Sequence, residues 1–279
     1  MQRVVLITGC SSGIGRATAL AFLDAEWDVV ATSRNTSDIA ALADAGCKTV
    51  TLDVRSDEQV RTVVDEVIDT FGQIDCLVNN AGFAQLGPSE DVSVDALHRQ
   101  FDVNVYGPHR LARAVLPYMR TQERGTIINV SSVLGRIALP GTGIYSGSKF
   151  ALEAISDAMR AETRSFGVNV VLIEPGNVDT RFPVRAGREV DRLDQTAAYA
   201  ALYRLIDDWS SIGGIGATDL TPNDVAGAIL NAASATDPDP RYAIGASGQA
   251  GTLLRFLPGR LRDRLYSTTV RLTTRLSKR

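Results

Sequence analysis

Over its first 180 residues the chain switches repeatedly between short β-branched runs and longer stretches with apolar residues at helical spacing. This alternation limits the possible folds more than any other feature of the sequence. "VVLIT" (4–8), "DVVATS" (28–33), "TVTLD" (49–53), "CLVNN" (76–80), "TIINVSS" (126–132) and "NVVLIEP" (169–175) read as strands. Their apolar character is continuous, which places the sheet between two covered faces. Between them lie "GRATALAFLDA", "SDIAALADA", "DEQVRTVVDEVIDTF", the region from Ser93 to Met119, and "FALEAISDAMRAETRSFG". Ser56 or Asp57 can cap the third of these helices. Strands that alternate with helices imply right-handed crossovers and an α/β, doubly wound parallel sheet with helices on both faces. "RYAIG" (241–245), after the turn "TDPDP", adds a seventh strand. No repeat and no linker divides the chain, so the expectation is one domain over 1–279, with an insertion at 181–220 and a tail at 252–279.

Composition narrows the class. The chain has 279 residues, 44% hydrophobic and 22% charged, the balance of a soluble globular protein. The N-terminus runs straight into a strand, without a secretory pattern, and no run of about 18 apolar residues is present. Three cysteines make an odd count and argue against a disulfide framework, so the expected location is cytoplasmic. Of the net charge of −3, the segment from Arg255 onward carries eight basic residues against Asp263, or +7, which leaves −10 on the rest. Such a body is no match for nucleic acid. His98 and His109 lack metal-ligand spacing, so no metal is expected.

The turn "TGCSSGIG" (8–15) joins the first strand to the first helix. Its glycines permit tight turning and close backbone approach, and the helix opening near Ile14 aims its positive end at phosphate. Thr8, Gly9, Ser11, Ser12, Gly13, Ile14 and Gly15 are therefore candidate dinucleotide ligands. At the end of the second strand, Ser33 stands where an acid would grip the adenosine ribose, and Arg34 follows. An arginine offers a planar set of donors to a 2′-phosphate, so NADP is expected over NAD. Asp53, just before Val54, is placed to meet the adenine edge. Cys10 lies in the same turn, where a helix N-terminus could lower its pKa; it reads as filler, open to oxidation.

The spacing of Gly9, Gly13 and Gly15 resembles the T-G-x-x-x-G-x-G of the short-chain dehydrogenase/reductase family. Further motifs follow in that family's order: "NNAG" (79–82), "NVYG" (104–107), "NVSS" (129–132), Tyr145 with Lys149, and "PGNVDT" (175–180). They cover roughly residues 4 to 180 and converge on the carboxyl edge of strands four to six. The resemblance implies a Rossmann fold, a nicotinamide cofactor, and hydride exchange with a carbonyl or alcohol. It implies the tetrad Asn104, Ser132, Tyr145 and Lys149, with Tyr145 as general acid/base. An opposite charge about 4 to 6 Å away lowers an acid's pKa, so Lys149, one turn along the helix, is expected to shift Tyr145 towards working pH. Lys149 would also hold the nicotinamide ribose. Ser132, preferred over Ser131 by its spacing to Tyr145, would steady the carbonyl oxygen. Asn104 would anchor a water leading to solvent. Asn80, Ala81, Gly82, Pro175, Gly176, Val178 and Thr180 join Tyr145 and Lys149 as implied cofactor contacts. Family members commonly form dimers and tetramers through the helices bearing Asn104 and Tyr145, so a homo-oligomer is expected.

Beyond Thr180 the resemblance is less informative. Phe182, Tyr199, Leu202, Tyr203, Ile206 and Trp209 give one apolar face at helical spacing, suited either to an apolar alcohol or ketone or to packing on the body. The long C-terminus is similar to retinol/steroid-type and broad-range carbonyl reductases, whereas 3-oxoacyl-type reductases usually stop soon after the last strand. A catalytically idle NADP-binding sensor is the rival from another class, and intact Ser132, Tyr145 and Lys149 speak against it. The tail mixes Leu, Phe, Val and Tyr with arginines. It reads first as a helix docked on the protein's own acidic body, and otherwise as a membrane-surface or subunit contact.

Overall fold

The computed structural model describes residues 2–207, 220–246 and 256–276, with side chains as far as Thr268. Seven parallel strands form one sheet in the order β3-β2-β1-β4-β5-β6-β7. They are β1 (Val4–Ile7), β2 (Asp28–Ser33), β3 (Lys48–Thr51), β4 (Cys76–Asn79), β5 (Gly125–Val130), β6 (Val168–Pro175) and β7 (Arg241–Ile244). Alternate residues of each central strand enter two separate cores. Val5, Ile7, Val29, Val78, Ile128 and Val171 pack on one face; Val4, Leu6, Val30, Leu77, Ile127 and Val170 pack on the other. Both faces being covered explains why these strands read as unbroken apolar runs.

The first core is closed by α1 (Gly13–Asp24) through Ala19 and Phe22, and by the helix Pro222–Ser234 through Val225, Ile229 and Ala232. The second is closed by α3 (Asp57–Phe71), which places Val60, Val63, Val64 and Val67 inward, and by α5 (Gly107–Gln122) through Leu111, Val115 and Met119. Ser56 caps α3 by accepting from the Gln59 amide at 3.2 Å, so the capping expectation holds on the serine. The second expected helix is a 3-10 turn, Thr36–Ile39, followed by the short α2 (Ala40–Asp44).

The long helical region is interrupted. α4 (Val94–Phe101) passes through a π segment, Asp102–Tyr106, before α5 begins. The interruption has a sequence cause: residue 108 is proline and has no amide to give the Asn104 carbonyl. Such π segments are common at functional positions. α6 (Gly143–Thr163) starts with the Tyr145 turn and packs on β6. α7 (Phe182–Val190) and α8 (Ala200–Asp207) occupy the expected insertion, and the C-terminal helix Gly259–Leu276, just beyond Pro258, packs against α8. Trp209 and the rest of 208–219, together with 252–255 and 277–279 of the tail, lie outside the described residues.

Phe22 is fully buried and meets Trp27 edge-on, ring centroids 4.8 Å apart. Phe22→Ala should therefore cost about 3–5 kcal/mol. At roughly 2–4 °C per kcal/mol for a chain of this order, thermal unfolding followed by circular dichroism should show a drop of about 10 °C.

Candidate active site

The site begins where the end of β1 meets the end of β4. Thr8 Oγ1 accepts hydrogen bonds from the amides of Asn80 and Ala81, each at 3.0 Å, and Asn80 Nδ2 returns one to the Thr8 carbonyl at 2.8 Å. The turn is drawn so close to β4 that a Cβ on Gly9 would lie 2.9 Å from Ala81 Cα, at a φ of +75°. One on Gly15 would lie 2.4 Å from the Gly9 carbonyl oxygen. Ser12, the N-cap of α1, makes no side-chain cap bond, and the first turn of the helix contains no acid. Its amides therefore face the crevice without a carboxylate competitor, as a phosphate site requires.

A cavity of about 850 Å³ runs from this turn along the carboxyl edge of the sheet. Gly9, Ser11, Ser12, Gly13, Ile14, Ser33, Arg34, Asp53, Val54, Asn80, Ala81 and Gly82 line one part; Ser132, Tyr145, Lys149, Pro175, Gly176, Val178 and Thr180 line another. Thr8, Gly15 and Asn104 stand behind the wall and hold it in shape. The Asn104 amide is engaged by protein atoms: Oδ1 accepts from the Phe83 amide at 3.2 Å, and Nδ2 donates to the Phe83 carbonyl at 3.0 Å and Ser148 Oγ at 3.2 Å.

Tyr145 and Lys149 are both buried, 5% and 7% exposed. The Tyr145 hydroxyl shares a hydrogen bond with Ser132, and its ring lies against Phe182 of α7, centroids 5.8 Å apart. Ser132 Oγ also accepts from the Leu134 amide at 3.1 Å. Ser131, its rival, is buried without a side-chain partner. Lys149 Nζ donates to the Val130 carbonyl at 2.8 Å and stands 5.9 Å from the Tyr145 ring centroid. The sequence led us to expect a tyrosine pulled down by the lysine. Instead burial pushes Tyr145 up to about 12, with only the Ser132 hydrogen bond opposing it. Burial likewise draws Lys149 down to about 8, against the opposing charge of Glu153.

Cys10, in the turn after β1, is a core residue. Its thiol is fully buried, donates to the Ile7 carbonyl at 3.3 Å, and is pushed up to about 12 by burial. The helix N-terminus does not activate it, because the side chain points into the core.

At the adenosine end, the Asp53 carboxylate is occupied by Arg55, with Nε at 3.0 Å and Nη2 at 2.6 Å. Arg55 holds this carboxyl below the usual range and lines the cavity beside Arg34. The sequence reading missed Arg55, although its place two residues after an acid was a signal. It also missed Arg185, whose Nη2 reaches across the cleft to Ser12 Oγ at 3.2 Å. Arg185 follows Phe182 by three residues and shares its helical face, which could have revealed it.

The apolar face expected in the insertion is mostly spent on packing. Tyr203 and Ile206, with Tyr199 and Leu202 beside them, join a core with Leu86, Leu134, Ile137 and Tyr145, and of the expected set only Phe182 lines the cavity among the described residues. Leu205 and, from the C-terminal helix, Arg262, Leu265 and Tyr266 complete the wall. Among the described residues no cluster of metal-ligating side chains occurs, and no helix is long and apolar enough to cross a membrane.

The family model for short chain dehydrogenases matches residues 3–190. The chain belongs to the short-chain dehydrogenase/reductase family. It is 38% identical over 268 residues to the uncharacterized oxidoreductase YbbO of Escherichia coli K12, covering 95% of this chain and 94% of that one. Among solved structures, a short-chain dehydrogenase from Streptomyces avermitilis superposes with a TM-score of 0.79 at 30% identity, over 100% of this chain and 98% of that one. A family member from Burkholderia phymatum in complex with NAD gives 0.73 at 27% identity, over 86% and 88%. The seven-stranded parallel sheet is thus the family's, and the chain is an oxidoreductase by family.

The folded Lys149 loses its proton near 8 and an unfolded lysine at 10.5, so the unfolded chain binds more protons across that window. Stability therefore rises with pH through it, and below it the buried charge costs about 3 kcal/mol. Cofactor-free Lys149→Met should melt several degrees above wild type at pH 7, and the gain should shrink as pH rises from 8 to 10.5. An equal gain at both ends would show that the charge is not its source.

Proposed function

We propose that this chain is an NADP-dependent carbonyl reductase or alcohol dehydrogenase acting on apolar ketones or aldehydes, with Tyr145 as general acid/base. The observation that carries this reading is the Tyr145 hydroxyl, paired with Ser132 and roofed by Phe182, in the cavity that begins at the glycine turn.

The residues present fit a nicotinamide dinucleotide. Gly9 and Gly15 let the turn lie tight against the end of β4, and the α1 amides with Arg185 suit the diphosphate. Arg34 and Arg55 set two guanidinium groups against the single carboxylate of Asp53, which favours a 2′-phosphate over bare ribose hydroxyls. When bound, the nicotinamide would supply or accept the hydride.

Every proton movement then belongs to the protein. At neutral pH Tyr145 is fully protonated, the form needed to donate to a carbonyl oxygen as the carbon is reduced. Ser132 would give a second hydrogen bond to the same oxygen and stabilise its developing charge. As the tyrosine loses its proton, the Lys149 cation is the nearest positive charge to compensate the phenolate in a site with little water. The reverse reaction needs the phenolate first and so depends more on that cation. Leu134, Ile137, Leu139, Phe182, Leu205 and Leu265 offer the substrate an apolar wall.

Tyr145→Phe should lower NADPH-dependent reduction of apolar aldehydes and ketones by about a hundredfold or more, with NADPH still bound, as followed by cofactor fluorescence. Turnover that survives this change would remove Tyr145 as the proton donor. At the other end of the cavity, Arg34→Ala should weaken NADPH binding by about tenfold and leave NADH almost unchanged, the loss expected for one charge-assisted contact. Equal weakening of both cofactors would place Arg34 away from the 2′-phosphate.

A further inference from the structure

The helical stripe that carries Tyr145 and Lys149 has a third member. Glu153 follows at the same four-residue interval on α6 and is 5% exposed, a place where a carboxylate needs partners. Arg241 Nε of β7 lies 3.2 Å from Glu153 Oε2, and Arg136 Nη1, from the turn after β5, lies 3.7 Å from it. The same two arginines reach Glu174 of β6 at 3.1 and 3.7 Å, and Glu174 is 1% exposed. Towards solvent, Asp157 takes up Arg241 and Arg160. Neither Glu153 Oε1 nor Glu174 Oε1 has a well-aligned donor, and the two carboxyls are close enough for one to donate to the other.

This cluster lies directly behind the reacting groups. A Cβ on Gly135, in the turn that follows Ser132, would be 2.7 Å from Ser131 Oγ and 3.3 Å from Glu153 Oε1. The carboxylate is thus separated from the end of β5 by the width of one glycine. The groups around Lys149 are Tyr145 and Glu153 on its own helix, the Val130 carbonyl on β5, and, behind Glu153, Glu174, Arg136 and Arg241. Asp157 and Arg160 balance each other at the outer end. Of these, Glu153 is the anion that acts on Lys149.

We propose that Glu153 is a positioning residue for the reaction, and that its carboxylate, coupled to Glu174 and clamped by Arg136 and Arg241, keeps Lys149 charged in spite of burial. Burial disfavours the charged lysine and Glu153 favours it, so without that carboxylate Tyr145 would have less of the cation that compensates its phenolate. Burial and the neighbouring Glu153 together raise Glu174 to about 7, so Glu174 gives up its proton only as the pH passes neutrality. The negative charge behind Lys149 therefore increases as the pH approaches the lysine's own titration. The inference rests on the reading of Lys149 as the partner of Tyr145, and its test needs no substrate.

The chain contains three lysines, Lys48, Lys149 and Lys278, so protein labelled with ¹³C-lysine gives three ε-methylene signals. Lys149 is identified by the signal that Lys149→Arg removes. In the cofactor-free full chain, Glu153→Gln should lower the Lys149 midpoint by about one pH unit or more, and Glu153→Asp should return most of the shift. The wild-type Lys149 curve should also carry a smaller inflection near neutrality as the carboxyl pair loses its proton. An unmoved midpoint in a folded Glu153→Gln would overturn the proposal. If that variant does not fold, a wild-type curve with a single step does the same, because it makes the pair electrically silent at Lys149. A Tyr145→Phe variant that kept its turnover would sink the proposed function and leave this titration readable.

Discussion

A methyl group at Gly15 would meet the Gly9 carbonyl oxygen at 2.4 Å and the Asn80 side chain at the same distance, and the molecule is arranged around that lack of room. Thr8 gives up its hydroxyl oxygen to two amides of the β4 end, and Asn80 answers with its own amide. Because β1 and β4 are neighbours in the sheet while their following helices lie on opposite faces, the knot marks the point where the winding reverses. The crevice opens there. Further along the same edge, Asn79 donates to Asn129, which donates to Ser156, so β4, β5 and α6 are tied beneath the surface that carries Ser132 and Tyr145.

The chemistry of that edge is a contest between burial and charge, and burial dominates. It raises the tyrosine to about 12 and lowers the lysine to about 8, moving both towards their neutral forms. The simple rule that a lysine one turn away activates a phenol omits the burial of both side chains. A shift of one unit is about 1.4 kcal/mol, so the site stores a few kcal/mol in the lysine alone. Such a cost persists because the rest of the fold over-determines it: the Val130 carbonyl holds the ammonium, Phe182 covers the phenol, and the ionic cluster under α6 supplies the counter-charge.

Much of this was legible beforehand where the cause is local. The strand runs, the helix over 57–71 with its serine cap, the glycine spacing and the tyrosine–lysine interval are each fixed by residues within a few positions of one another. Glu153 belongs to the same stripe, yet its meaning depends on Arg241, 88 residues away, and on Glu174 across a strand. Arg185 and Ser12 are 173 residues apart and meet only because Thr180 turns back over Gly13. Cys10 shows the complementary case: the turn that exposes its neighbours directs its own side chain into the core. The π segment could have been foreseen from Pro108, since a missing amide is written in the sequence, but its use depends on Phe83 reaching Asn104.

The far end of the cavity is built on a different principle. Asp91 and Glu90 hold the insertion from outside, through Thr196, Tyr199 and Tyr203, while Ile206 presses on Gly141 and Tyr203 enters the core beside Tyr145. These ties consume the apolar face that a substrate might have used. Late in the chain the wall draws on Phe182, Leu205, and the Leu265 and Tyr266 side chains of a helix that begins more than a hundred residues after Tyr145. The cofactor end is therefore fixed by backbone approaches that admit little change. The far end also takes side chains from two late segments that lie outside the sheet. A family of oxidoreductases can keep one proton donor and one nucleotide cradle while exchanging the surfaces that select what is reduced.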